Sequence, residues 1–329
     1  MKFTVALIYG GEGLEHEISL VSAENIRGFL EESKCETVSV FISKEGEWFI
    51  EKRGERLATF PVYIHGVSGL FSDEGIIPVD LAIPSLHGDF GEDGTVAGLL
   101  SSAHIRFLGC GVLAGAVCSD KITAKMIAEA TGIPTAKWTY FTGEKVDEAR
   151  KRCESLLGYP LFIKPASLGS SIGISRVDRS EDFDVAYGKA LALSKRILVE
   201  EAIEVECELE CAYLGLKDGD RFAVGRVLSE GKFYGFREKY TTGVKTEPVE
   251  NDEKISETVI SMAKILKEAT GISEISRLDF FLTKDGKILF NEINTFPGMT
   301  ATSLYPVLTE KMGFSRGEFI NNLLEEALL

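Results

Sequence analysis

The chain has 329 residues, more than one hydrophobic core usually organises, since single cores stop growing at roughly 250–300 residues. Its 44% hydrophobic and 26% charged content is that of an ordinary globular protein. The net charge of −15 argues against nucleic acid as the main partner, because that role needs a basic face, but a local Lys/Arg cluster can still hold an anionic small molecule. No apolar run approaches the ~20 residues needed to cross a bilayer, so no membrane partner is expected. Six cysteines, at positions 35, 110, 118, 153, 207 and 211, have no metal-site spacing and read as reduced thiols of a cytoplasmic protein.

Residues 3–9 form an apolar run that ends in Gly10-Gly11-Glu12 instead of a small-residue cleavage site, so it reads as a first strand. Ile18, Val21, Phe29 and Leu30 then recur at helical spacing. Strands follow at 37–42 and 79–83 and a helix at 95–103, with Glu45-Gly46 marking a hairpin side branch. This alternation predicts a mostly parallel sheet, with ligand loops at the carboxyl ends of its strands. Ser119 is a plausible N-cap for a helix running to Ala130. Strands at 138–141, 161–164, 173–176 and 197–200 surround helices near 144–157 and 181–193. The last third has strands at 208–214, 221–227, 274–281 and 287–292, with helices near 255–268 and 315–328. The stretch 229–252, rich in Gly, Lys, Tyr and Thr, is too long for a plain connection and reads as a lid.

Four constellations carry chemistry. In Arg277-Leu278-Asp279 and Glu292-Ile293-Asn294, strand alternation puts Arg277 and Asp279 on one face, and Glu292 and Asn294 on one face. If the Lys284-Asp285-Gly286 turn makes these strands a hairpin, the four side chains converge, and their oxygens suit a hard cation such as Mg²⁺. A solvated polar face is the commoner meaning of such a pattern. The Gly-bearing loop 294–300 directly after the carboxylates favours a site. Second, Lys164 ends a strand before Ser167-Leu168-Gly169-Ser170-Ser171-Ile172-Gly173, which can place an ammonium, hydroxyls and backbone N–H groups around phosphate oxygens. The spacing does not match Gly-x-x-x-x-Gly-Lys-[Ser/Thr], which disfavours a Walker-type loop. The third is Leu86-His87-Gly88-Asp89-Phe90-Gly91-Glu92-Asp93-Gly94-Thr95, a sheet-end loop. The fourth is the turn Gly10-Gly11-Glu12-Gly13-Leu14-Glu15, in which Glu15 could merely favour a helix dipole.

Taken in order, these pieces resemble the D-alanine–D-alanine ligase family of the ATP-grasp superfamily over nearly the whole chain. Asp120-Lys121, Lys239-Tyr240 and Ser303-Leu304 extend the likeness. The resemblance implies an α/β and α+β architecture: an N-terminal Rossmann-like parallel-sheet domain over 1–116, a small ATP-grasp subdomain over 117–203, and a C-terminal subdomain with metal site and lid over 204–329. It implies ATP and two Mg²⁺ (or Mn²⁺) ions, a D-alanyl phosphate intermediate, and a D-alanyl-D-alanine product for peptidoglycan. A homodimer is usual for such ligases.

By the same resemblance, Lys121, Lys164 and Ser171 hold ATP phosphates, and Lys239 reaches the transferred phosphate from the lid. Glu200, Glu201, Ala202 and Ile203 match the adenine hinge, and Glu208 takes the ribose, with Glu206 the alternative. Asp279, Glu292 and Asn294 hold the metal ions. Glu15 pairs with the first D-alanine ammonium, and His87 lies by its carboxylate. Ser170 and Tyr240 link to Glu15. Arg277 and the Gly298 N–H stabilise the oxyanion, while Ser303 and the Leu304 N–H hold the second D-alanine carboxylate. A depsipeptide-forming ligase with D-lactate as acceptor is the rival within the class, and Tyr240 argues against it. A non-catalytic ATP-binding regulator is the rival outside it, and a mere binder has no need of Arg277.

Overall fold

The computed structural model describes residues 3–31, 33, 35–228, 245–248, 252–300, 303–315 and 317–328. Most of the expected lid at 229–252, including Lys239 and Tyr240, therefore lies outside the described residues.

Strand β1 (Thr4–Gly10) is buried on both faces, as its unbroken apolar run requires. Val5, Leu7 and Tyr9 pack with Ala23, Ile26 and Leu30 of helix α1 (His16–Glu31), while Ala6 and Ile8 pack with Val96 and Leu100 of α2 (Thr95–Ser102). β1 lies parallel to both β2 (Glu36–Ile42) and β8 (Leu81–Ser85), so the loops after β1 and β8 leave the same end of the sheet. The expected side branch is present: β3 (Trp48–Lys52) and β4 (Glu55–Ala58) extend the sheet antiparallel in the order β4-β3-β2-β1-β8.

A small antiparallel sheet of β5 (Phe60–Ile64), β6 (Val67–Ser72) and β7 (Gly75–Pro78) has no counterpart in the sequence reading. Val79 donates its N–H to Ser68 O at 3.1 Å and so completes that sheet, which is why β8 begins two residues later than expected. A second correction concerns the helix after it. Ser119 ends a helix of its own, α3 (Val112–Ser119), and Asp120 is the cap of α4 (Lys121–Ala130), its Oδ1 accepting from Thr123 N at 2.7 Å.

The second sheet runs β11 (Ser175–Val177), β10 (Leu161–Pro165), β12 (Ile197–Glu201), β9 (Trp138–Phe141), all antiparallel. One face packs Leu161, Ile163, Ile197 and Val199 against helices Val146–Leu156 and Phe183–Leu193. By alternation, the other face carries Lys164, Leu198 and Glu200.

The third sheet runs β15 (Lys245–Pro248), β14 (Gly219–Leu228), β13 (Val205–Leu216), β16 (Ile275–Thr283), β17 (Ile288–Asn294). Leu209, Cys211, Leu278, Phe280 and Phe290 pack on helix Glu253–Thr270. On the opposite face, Ala212, Leu214 and Ile275 join Tyr305 and Leu308 of helix Leu304–Lys311 in the core that also holds β1 and α1. Further along that same face the residues turn polar, at Arg277 and Asp279. A bulge in the pairing with β17, between Asp279 and Phe280, brings Glu292 to the same face. It absorbs one residue of β17, so Phe290 stays buried, worth roughly 1.5–3 kcal/mol, while Glu292, two residues on, faces the other way. Among the described residues no helix is long and apolar enough to cross a membrane.

Candidate active site

Glu15 is where three segments meet. Its carbonyl accepts from Ile18 N and Ser19 N at 3.0 and 3.1 Å, so it heads α1. Its side chain is buried, and Ser170 Oγ donates to Oε1. Ser170 and Ser171 have φ of +48° and +61°, a conformation unusual for residues with a Cβ. A Cβ on Gly88 or Gly169 would lie only 2.6 or 2.5 Å from Glu15 Oε2. A side chain at either position would push this carboxylate aside, and Gly88 in addition has a φ of +69° that favours glycine. Burial raises the Glu15 carboxyl pKa, while Ser170 and Lys121 act in the opposite direction.

The loop after β8 is tied to the loop after β17 through Glu92. Gly88 N and Phe296 N donate to its two oxygens at 2.9 and 3.4 Å, and Thr295 Oγ1 donates to its carbonyl at 2.9 Å. Burial and the charge of Glu15 push the Glu92 carboxyl up to about 8. His87, on the same loop, lies 2.9 Å from Ser22 Oγ through Nε2, and burial drives it down to about 4. It is thus a neutral imidazole at neutral pH.

On the third sheet, Arg277 Nε and Nη2 grip the two oxygens of Asp279, each at 2.7 Å, and Nε lies 3.3 Å from Glu210 Oε2. Burial would lower the Arg277 pKa, but Asp279 and Glu210 hold it well above its ordinary value. Asn294 Nδ2 donates to Asp279 Oδ2 at 3.0 Å, and Asp279 stands opposite Glu292 in the ladder. Lys121 reaches Glu292 Oε2 at 3.2 Å and donates to Leu168 O at 2.8 Å, so α4 bridges the third sheet and the 167–173 loop. Asp279, Glu292 and Asn294 are thus brought together as expected. Among the described residues no three His, Cys, Asp or Glu side chains gather closely enough to hold a metal by themselves. Two carboxylates and an amide oxygen do fit Mg²⁺, which takes few protein ligands.

Lys164 and Glu200 are paired on the polar face of the second sheet, and Lys125, from α4, lies 2.9 Å from the other Glu200 oxygen. The 200–203 segment leaves β12 with Ala202 N bonded to Pro160 O at 2.9 Å and Glu201 Oε1 accepting from Lys137 N at 2.9 Å. A bulge at Val205/Cys207 separates the two ribose candidates. Glu208 shares the Arg277 face, whereas Glu206 is turned towards Arg226, 3.9 Å away, whose cross-strand partner Leu209 is on the buried face.

Past β17, Ser303 Oγ accepts from Thr300 N at 3.1 Å, and Leu304 opens the helix Leu304–Lys311 with first-turn N–H groups that no helical carbonyl can satisfy. A Cβ on Gly298 would lie 2.9 Å from Ser303 Oγ, which ties these two positions together. Asn25 of α1 donates to Met299 O at 2.6 Å and anchors this loop beside Glu15's helix. Three participants were missed by the sequence reading. Lys125 follows Lys121 by one helical turn and Glu210 follows Glu208 on one strand face, spacings that could have revealed both. Glu92 had no such signal beyond its place in the glycine-rich loop.

Two family models match, described as D-ala D-ala ligase N-terminus over residues 4–110 and D-ala D-ala ligase C-terminus over residues 127–325. A D-alanine–D-alanine ligase from Geobacillus thermodenitrificans is 35% identical, covering 100% of this chain and 96% of its own length. One from Streptococcus equi is 34% identical, with 99% and 96% covered. The VanG D-Ala:D-Ser ligase of Enterococcus faecalis superposes with a TM-score of 0.89 at 32% identity, covering 99% of this chain and 100% of that one. D-alanyl-alanine synthetase A of Vibrio cholerae does so with 0.87 at 33%, covering 100% and 99%. With both halves matched and full-length relatives above 30% identity, the chain belongs to the D-alanine–D-alanine ligase family.

Proposed function

We propose that this chain joins two D-alanines at the expense of ATP, through a D-alanyl phosphate, to supply a peptidoglycan precursor. The observation that carries the reading is the convergence of two glycine-bearing loops and Ser170 on the buried Glu15 carboxylate, in a chain whose two halves both match the family. Glu15 accepts the ammonium of the first D-alanine, and neutral His87 lies near its carboxylate. An oxygen of that carboxylate attacks the terminal phosphorus and ADP leaves. Lys121, Lys164 and Ser171 hold the phosphates, and the 200–203 segment and Glu208 hold adenosine. The amine of the second D-alanine, its carboxylate on Ser303 Oγ and the Leu304 N–H, attacks the acyl carbon and loses a proton as phosphate departs. Arg277 and the Gly298 N–H meet the negative charge on the carbonyl oxygen, the kind of preorganised contact that is often the largest catalytic contribution. Lys239 and Tyr240 belong to the same reading at the transferred phosphate and beside Ser170.

Mg²⁺ or Mn²⁺ held by Asp279, Glu292 and Asn294 would neutralise phosphate charge there. Arg277 and Lys121 now satisfy these carboxylates, so bound ions would take their place as partners. Six free thiols, five of them buried, suit a reducing cytoplasm. Exposed Phe60, Tyr63, Leu99, Val112 and Leu113 support a homodimer through the N-terminal region, to be checked by sedimentation. The activity is tested by ADP release against D-alanine, D-serine and D-lactate as acceptors. Release that needs D-alanine and yields D-alanyl-D-alanine is expected. Release independent of D-alanine, or a product made only with D-serine or D-lactate, overturns the assignment.

A further inference from the structure

Lys125 has no role in the chemistry above, yet its side chain is 1% exposed, against 4% for Glu200 and 8% for Lys164. Lysine is almost never enclosed to this degree without a partner, because an ammonium loses its hydration. Its partner is Glu200, whose Oε2 lies 2.9 Å from Lys125 Nζ while Oε1 accepts from Lys164 Nζ. Burial would raise the Glu200 carboxyl pKa, but the two lysines hold it well below its ordinary value. The enclosed group therefore holds two ammoniums and one carboxylate, an excess of one positive charge. A closed Glu200–Lys164 pair alone would be neutral.

We propose that Lys125 is a positioning residue for the nucleotide: by holding one oxygen of Glu200, it keeps the Glu200–Lys164 pair from closing as a neutral unit, so that Lys164 retains charge for an incoming phosphate. The inference rests on the reading of Lys164 as a phosphate ligand. Its geometry supports the division of labour. Lys125 comes from the helix that Lys121 opens, one turn further on, so α4 sends one lysine to the Glu292 side of the cleft and one beneath the nucleotide side. Lys125 is too enclosed to reach a ligand itself. Its action must pass through Glu200.

Removing the Lys125 charge should weaken nucleotide binding, and removing the Glu200 charge as well should strengthen it again, since Lys164 would then be an uncompensated cation. A purely space-filling role makes the opposite prediction for the second step. The full chain is titrated calorimetrically with the non-hydrolysable analogue β,γ-imido-ATP and Mg²⁺. Lys125→Met is expected to bind about tenfold more weakly or worse, the scale of losing a charge-assisted contact. Lys125→Arg should stay within about threefold of the unaltered chain, and Lys125→Met/Glu200→Gln should bind more tightly than Lys125→Met and within about threefold of Glu200→Gln alone. In turnover assays KM for ATP should rise in Lys125→Met while KM for D-alanine stays unchanged.

If Lys125→Met does not fold, the double variant, which lacks both the Lys125 and the Glu200 charge, is compared with Glu200→Gln alone. Binding within about threefold of Glu200→Gln supports the proposal, because Lys125 then acts only through Glu200, and a further tenfold or greater loss overturns it. Unchanged binding by Lys125→Met also overturns it, as does equal weakness of the single and double variants. Lys164→Met is the control for the underlying reading. If it binds the analogue normally, the phosphate assignment fails and the proposal with it. If Lys164→Met is defective and Lys125→Met is not, the positioning role alone fails.

Discussion

The second and third sheets both present lysine or arginine beside carboxylates, and they do so in opposite ways. On the second, Lys125, Glu200 and Lys164 are 1–8% exposed, and α4 covers them. On the third, Arg277, Asp279, Glu210, Lys121 and Glu292 are 11–25% exposed along the edge of a cleft. Breaking an enclosed pair strands a charge where water cannot reach it, whereas a pair at a cleft edge can exchange its partner for a ligand. The enclosed cluster is suited to setting a fixed field, and the open one to exchanging charges during a reaction. If that contrast holds, substitutions in the open cluster should cost turnover and those in the enclosed cluster should cost binding or folding.

The largest effect should come from the open cluster. Arg277→Lys keeps the charge but loses the planar fork that grips Asp279 and that we propose meets the reacting carbonyl. Turnover should fall by roughly 10²–10³, as for the loss of an oxyanion donor, with little change in melting temperature. Asp279→Asn and Glu292→Gln should lose turnover on a similar scale, read as ADP release. If both turn over normally, the metal assignment goes. Next in size, Glu15→Gln removes a charged acceptor and should lower kcat/KM for D-alanine by roughly 10–100-fold while leaving KM for ATP in place. An equal rise in both KM values would mean that the loops around Glu15 had shifted as a unit.

Much of this site could be read in the sequence because strand alternation is a rigid rule. Arg277 with Asp279, and Glu292 with Asn294, had to share faces whatever the tertiary structure, and the Lys284-Asp285-Gly286 turn brought the strands together. The rule stops where the ladder slips. Nothing in the residues around Val205 revealed the bulge that turns Glu206 away and leaves Glu208 on the cleft face, because a bulge answers to packing on both sides of a sheet. Long-range pairing was equally hidden. The spacing from Lys121 marks Lys125, but only the fold shows that β12 supplies Glu200 as its partner, and the strands at 60–78 are too short for periodicity to mark them. Ser119 was mistaken for a cap because Ser and Asp are both good ones, and only the break between two short helices distinguishes them.

A smaller effect tests the tie between the first and third sheets. Glu92 is held near 8 in the folded chain against an ordinary 4.5. Below the ordinary value both folded and unfolded states are protonated, and its contribution to stability is complete. As pH rises towards 8 the unfolded state releases the proton first, so that contribution is progressively lost. Glu92→Gln has no such proton. The melting temperature of the variant, relative to the unaltered chain, should rise from pH 5 to pH 8. A constant difference would show that Glu92 is ionised in the folded state.

The smallest effect concerns how α4 begins, and so where Lys121 stands. Asp120 Oδ1 caps the helix through Thr123 N at 2.7 Å, and its carboxylate also meets Arg196, with Nε 2.8 Å from Oδ2. The two contacts can be separated. Asparagine caps about as well as aspartate, so Asp120→Asn retains the cap and loses only a half-exposed ion pair, a change within about 0.5 kcal/mol. Asp120→Ala loses both and should cost about 1 kcal/mol more, measured by denaturant unfolding. KM for ATP is the sharper reading. If the cap fixes Lys121, which follows it directly, KM should rise in Asp120→Ala and stay level in Asp120→Asn. A rise in both would assign the effect to the Arg196 pair and move the control of Lys121 from the helix start to the second sheet.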